Sequence, residues 1–131
     1  MYLWIAVAAG GAIGSIARHG VNTFVQLKWP LLRFPLATLT VNVVGCCVIG
    51  ILAGLVATGR LPMRTGWREF VFVGVLGGFT TFSTFGLDTV TLIRLGDGQQ
   101  ALLNVLLQLA CGIGAVYLGL VLVERFGTVA R

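Results

Sequence analysis

Residues 77 to 85 read Gly-Gly-Phe-Thr-Thr-Phe-Ser-Thr-Phe and lie inside an otherwise apolar stretch of about membrane-spanning length. This run limits the fold more than any other. A helix in lipid must satisfy its backbone polar groups internally, and irregular backbone survives there only when buried in protein or lining a polar cavity. Paired glycines loosen such a helix, since glycine costs about 1 kcal/mol relative to alanine in a helix interior. Four hydroxyl side chains then alternate with phenylalanines. A segment that only had to cross lipid has no use for so many polar groups. The pattern predicts a helix broken at the middle of the bilayer, with the break as the working site.

Composition identifies the solvent. The chain has 131 residues, 57% hydrophobic and 10% charged, where a soluble domain carries about 25% charged residues. Lipid is therefore the solvent, and one all-α transmembrane domain over 1–131 is expected. Apolar runs predict four spans at about 3–25, 36–58, 69–94 and 101–123. The 19 glycines suit membrane helices that pack backbone to backbone. Lys28-Trp29-Pro30 and Arg33-Phe34-Pro35 make the first loop, where proline stops helices and aromatics sit at the interface. The net charge of +5 comes from Lys and Arg spread over loop-like positions, with no basic cluster interleaved with aromatics. Lipid headgroups, and not nucleic acid, are the expected partner. Cys46, Cys47 and Cys111 lie in apolar spans without CxxC spacing and read as small packing residues. The first residues lack a basic n-region and a cleavage pattern, so no removable signal peptide is expected.

Four spans put both termini on one side. That side holds Arg60, Arg64, Arg68, Arg125 and Arg131; the other holds Arg18, Lys28, Arg33 and Arg94, five against four. Membrane orientation follows a Lys/Arg excess on the cytoplasmic side, and here there is almost none. The chain is expected to insert both ways up and to pair with itself antiparallel about a two-fold axis in the membrane plane. This is the inverted-repeat logic of transporters achieved with two chains.

The nonapeptide has two ends of different chemistry. Carbonyls freed near Gly77, Gly78, Phe79 and Thr80 are hard oxygen ligands for a small cation such as Na⁺. Phe82 and Phe85, at i and i+3, share a helix face. Their positive ring edges can solvate an anion weakly, or the rings can simply pack. Ser83, Thr84, Thr81, Thr38 and Asn42 offer neutral hydroxyl and amide donors. Asn42 reads either as interhelical glue or as a donor to a permeating species. Arg18 reads either as a snorkelling side chain or as the lining of an anion-attracting vestibule. Asn104, Gln108 and Gly112, at i, i+4 and i+8, fall on one face of the fourth span. Asp88 reads as a local pairing residue.

GGFTTFSTF, together with TLTVNVVG in the second span and GGAIGSIARHG in the first, closely resembles the CrcB/Fluc family of fluoride channels over the whole chain. The resemblance implies an antiparallel, dual-topology homodimer in the cell inner membrane, with two pores. It implies passive export of cytoplasmic fluoride down its electrochemical gradient, and hence fluoride resistance. It implies a structural Na⁺ at the dimer centre on the backbone carbonyls of Gly77 and Thr80. By motif position Phe82, Phe85 and Asn42 belong to the pore, Thr38, Ser83 and Thr84 to hydroxyl positions near the ion path, and Arg18 to the vestibule. The family often carries an aromatic and a small hydroxyl residue on the pore-facing track where this chain has Asn104 and Gln108, so the track differs there.

The main rival is a proton-coupled exporter resembling the small multidrug exporters. It requires a carboxylate deep in a span, usually the first, and Asp88 is the sole candidate. A non-transporting assembly protein leaves the hydroxyl track unexplained. An enzyme is not expected, since the sequence shows no nucleophile–base pair or metal-ligand cluster.

Overall fold

The computed structural model describes residues 1–126; Arg131, one of the five arginines counted on the side of the termini, lies outside them. Among the described residues the secondary structure is helical throughout, without strands. Helix α1 spans Tyr2–Lys28 and α2 spans Leu36–Ala57. The third run begins with α3 (Thr65–Arg68) and continues directly as a π-helical segment, Glu69–Leu76, and α4, Gly77–Phe79. Helix α5 (Phe82–Arg94) ends the third run, and α6 (Gly98–Arg125) follows it.

Three of these helical runs are long and apolar enough to cross a membrane: Leu36–Ala57, Thr65–Arg94 and Gly98–Arg125. Helix α1 has 27 residues, which at about 1.5 Å each is ample length, but Arg18, His19, Asn22 and Lys28 make its second half more polar.

The distribution of polarity matches a lipid solvent. Ile16, Leu106, Ile113, Leu118 and many other large apolar side chains point outward. The interior holds glycines, a few apolar side chains such as Val41 and Leu92, and polar ones: Thr38, Thr81 and Asn104 are 5%, 8% and 0% exposed. Helix–helix packing without a hydrophobic driving force relies on such close backbone approach and interhelical hydrogen bonds.

Packing joins α2 chiefly to α6, and α1 chiefly to the π-helical segment. Gly14 shows why α1 can approach so closely. A Cβ there would overlap the Val75 carbonyl oxygen and come within 2.8 Å of the Phe79 backbone nitrogen. Elsewhere the ends are tied down by side chains. Asp97 accepts from the Gln100 N–H at 3.4 Å, capping α6. Arg60 donates to the Val123 and Phe126 carbonyls, both at 3.2 Å, closing the other end of the same helix.

Candidate functional site

The interruption of the third run lies three residues beyond the paired glycines. Gly77 and Gly78 are helical; Thr80 (φ −82°, ψ 160°) and Thr81 (φ −152°, ψ 115°) are extended. The expectation that the glycines themselves loosen the helix is corrected here. Gly78 serves the approach of α1 instead, since a Cβ on it would stand 2.6 Å from the Gly11 carbonyl oxygen.

Two side chains define the interruption. Thr81 caps the new helix: its Oγ1 accepts from the Thr84 N–H at 3.2 Å, the role of an N-cap threonine. Asn42 of α2 then takes both backbone groups of Thr81. Its Oδ1 accepts from the Thr81 N–H at 2.8 Å, and its Nδ2 donates to the Thr81 carbonyl at 3.0 Å. In an unbroken helix the Thr81 N–H would bond to the Gly77 carbonyl. That donor is now diverted, so the Gly77 carbonyl loses its ordinary partner. Space for the extended pair comes from Gly45, where a Cβ would overlap Thr80 Cγ2.

The polar chain continues to α6. Asn42 Nδ2 also donates to Gln108 Oε1 at 3.0 Å. Both donors of the Asn42 amide are thereby occupied. The orientation follows from the backbone: the Thr81 N–H can only donate, so it fixes Asn42 Oδ1, which fixes Nδ2, which fixes Gln108 Oε1. Gln108 Nε2 is left facing away from Asn42, buried and without a partner.

Asn42, Gln108, Gly77, Thr80, Thr81, Phe82 and Phe85 line one cleft of about 360 Å³, together with Gly45, Cys46 and Phe72. The Phe82 and Phe85 rings lie 5.4 Å apart at 62°, edge towards face. Phe82 is 80% exposed on the single chain.

A second cleft of about 270 Å³ holds Thr38, Thr84 and Asp88 with Asn22 and Arg33. Thr38 Oγ1 donates to Asp88 Oδ2 at 2.6 Å, joining α2 to α5. Thr81 bridges the two clefts, because its Oγ1 donates to Thr84 Oγ1 at 2.9 Å. Ser83 is exposed, and its Oγ lies 3.3 Å from Thr81 Oγ1. Asn104 lines neither cleft: it is fully buried, its Nδ2 donates to Thr89 Oγ1 at 2.9 Å, and its Oδ1 has no partner. Arg18 lies on α1 outside both clefts.

The side chain that sequence reasoning underrated is Thr81, which joins α2, α5 and both clefts. Its signal was the spacing Thr81…Thr84 at the start of a helix, which marks a hydroxyl N-cap. Among the described residues, no three His, Cys, Asp or Glu side chains group to hold a metal ion. The oxygens available to a cation near the interruption are backbone carbonyls and hydroxyls.

Residues 5–120 match the family model described as CrcB-like protein, Camphor Resistance (CrcB). The chain belongs to the CrcB-like family. It is 47% identical over 114 residues to the fluoride-specific ion channel FluC 2 of Symbiobacterium thermophilum, covering 86% of this chain and 90% of that protein. It is 43% identical over 122 residues to the fluoride-specific ion channel FluC of Parabacteroides distasonis, covering 93% of each. It is 44% identical over 127 residues to that of Methylobacillus flagellatus, covering 95% of this chain and 96% of the relative. Relatives so named are ion channels and not enzymes. The three apolar runs agree with a multi-pass membrane protein.

Proposed function

We propose that this chain is a fluoride-selective channel that lets cytoplasmic fluoride leave passively, down its electrochemical gradient, and so gives fluoride resistance. The names of its CrcB relatives support the ion's identity. The observation that carries the mechanism is the relay from Thr81 through Asn42 to Gln108. It leaves Gln108 Nε2 as a buried donor without a partner, on a residue that lines the cleft also holding the Phe82 and Phe85 rings.

An anion stripped of water requires donors at close range, and must not bind so tightly that it cannot leave. Neutral N–H groups and ring edges meet both conditions. In this reading Gln108 Nε2 and the edges of Phe82 and Phe85 solvate the ion. Asn42 acts one step behind, holding Gln108 in the donating orientation. Thr38, Ser83 and Thr84 supply hydroxyls on the neighbouring path, and Arg18 attracts anions at the vestibule.

In the working form α1 crosses as the first of four spans and the interruption at Thr80–Thr81 sits at mid-membrane. Two chains pair antiparallel in the inner membrane, giving two pores. The even distribution of Lys and Arg supports insertion in both orientations. The highly exposed Phe82 agrees with a ring that a second copy covers. The carbonyls of Gly77 and Thr80 fit a structural Na⁺ at the dimer centre. The diverted Thr81 N–H leaves the Gly77 carbonyl without its helical donor, and a hard cation takes neutral oxygen ligands. Bound there, the ion would supply a fixed positive charge and lock the two interruptions together.

The test is flux from liposomes. Purified protein should release trapped fluoride, read by a fluoride electrode, and retain chloride. Equal passage of chloride, or no fluoride release, defeats the reading.

A further inference from the structure

A third cleft, of about 730 Å³, lies at the other end of the third run from the interruption, between the start of α1 and the start of α3. Its lining is Tyr2, Ala6, Arg64, Thr65, Gly66, Trp67 and Phe70. Its lining is mixed: a cationic side chain and a hydroxyl stand with aromatic and apolar ones, and no acidic side chain lines it.

Arg64 is the decisive member. Four residues earlier, Arg60 has its guanidinium committed to two carbonyls at the end of α6. The Arg64 guanidinium, among the described residues, makes no hydrogen bond or ion pair; only its backbone carbonyl is used, accepting from the Arg68 N–H at 3.1 Å. Arg68, four residues on at the end of α3, adds a second positive charge near the start of the third run. The flanking rings set the depth. Tyr2 and Trp67 are 67% and 63% exposed, and Trp67 meets Phe70 edge-on at 5.6 Å. Exposed tyrosine and tryptophan at a span end belong to the headgroup level of a bilayer. From there the outward apolar side chains of α1, such as Ile5, continue towards the hydrocarbon.

We propose that this cleft binds one anionic phospholipid. The phosphate sits against the Arg64 guanidinium and the Thr65 hydroxyl, and an acyl chain runs past Ala6 and Phe70. The choice of occupant follows from charge. An unpaired guanidinium, in a lining without a carboxylate, favours a headgroup of net negative charge over a zwitterionic one. A basic side chain near an anionic lipid surface contributes about 1 kcal/mol, roughly a fivefold preference.

Tryptophan quenching in nanodiscs tests this. The chain has three tryptophans, so Trp4→Phe and Trp29→Phe leave Trp67 as the sole reporter. Phosphatidylglycerol and phosphatidylcholine with identical brominated acyl chains are compared at equal mole fractions. Half-maximal quenching should need about fivefold less phosphatidylglycerol. Arg64→Gln should erase that difference, Arg64→Lys should keep it, and Arg33→Gln, in the first loop, should leave it unchanged. Equal quenching by the two lipids, or a preference that survives Arg64→Gln, overturns the proposal. Quenching by neither lipid means a second copy covers the cleft, and also overturns it. So does loss of the preference on adding millimolar inorganic phosphate, which would mark a site for the free ion. If Arg64→Gln does not fold, as judged by elution and circular dichroism, the wild-type comparison and Arg64→Lys still decide. The readout is independent of fluoride flux, so failure here leaves the channel reading standing.

Discussion

Replacing Asn42 with alanine removes three hydrogen bonds at once: to the Thr81 N–H at 2.8 Å, to the Thr81 carbonyl at 3.0 Å and to Gln108 Oε1 at 3.0 Å. Interhelical bonds in membranes contribute about 0.6 to 2 kcal/mol each, so the sum is about 2–6 kcal/mol. The upper half of that range applies if the Thr81 N–H is left buried without a partner, since an orphaned buried group costs about 1–3 kcal/mol. The assay is unfolding against SDS mole fraction, followed by helical circular dichroism. Asn42→Asp separates stability from conduction. It keeps an acceptor for the Thr81 N–H but loses both donors. Gln108 is then free to turn its amide and donate Nε2 to the new carboxylate, withdrawing its N–H groups from the cleft. Fluoride flux should therefore collapse in Asn42→Asp while much of the stability remains. A loss below about 0.5 kcal/mol for Asn42→Ala, less than one average interhelical bond, would refute the clamp. Wild-type flux in a well-folded Asn42→Asp would refute the relay.

Phe82→Ile and Phe85→Ile should each cut fluoride efflux at least about tenfold, the effect of roughly 1.4 kcal/mol on the barrier, while cross-linking still detects the dimer; unchanged efflux would reduce the rings to packing. Gly45→Ala should destabilise by about 1–3 kcal/mol, because its methyl overlaps Thr80 Cγ2; the SDS unfolding midpoint reads this, and no shift would show that Thr80 moves aside freely. Adding lysines to one terminus should fix a single orientation and abolish efflux until an oppositely oriented copy is co-expressed. Full activity from the singly oriented chain would exclude an antiparallel pair.

Much of the architecture is legible from composition. The uncharged run from Leu36 to Thr58 becomes α2, and Glu69–Arg94 falls inside the third run. What a one-dimensional reading misses depends on partners far away in the chain. Asn42 and Thr81 are 39 residues apart, and Asn42 and Gln108 are 66 apart. No local pattern says that the first amide is fully occupied and the second is not. The same holds for Asn104, whose i+4 spacing to Gln108 suggested a shared polar track. The shared face is too wide to fix the surroundings: Asn104 turns to Thr89 on α5, and Gln108 to Asn42 on α2. The π-helical segment was also invisible, because it packs on glycines of another helix.

The displacement of the interruption from Gly77-Gly78 to Thr80-Thr81 has a physical cause. A weak helix former lowers the cost of breaking a helix, but a break inside a low-dielectric interior also requires partners for the groups it frees. Gly77 and Gly78 bring no side chain to supply them. Thr81 brings a hydroxyl that caps the Thr84 N–H. It also lies where Asn42 can take its N–H and its carbonyl together. The break therefore settles where its hydrogen bonds can be completed, and Gly78 is left for close approach to α1. One consequence is that site chemistry and site stability share the same bonds. The bonds that hold Thr80–Thr81 extended also fix the direction of the Gln108 amide, so a substitution that loosens the interruption also frees that amide to turn.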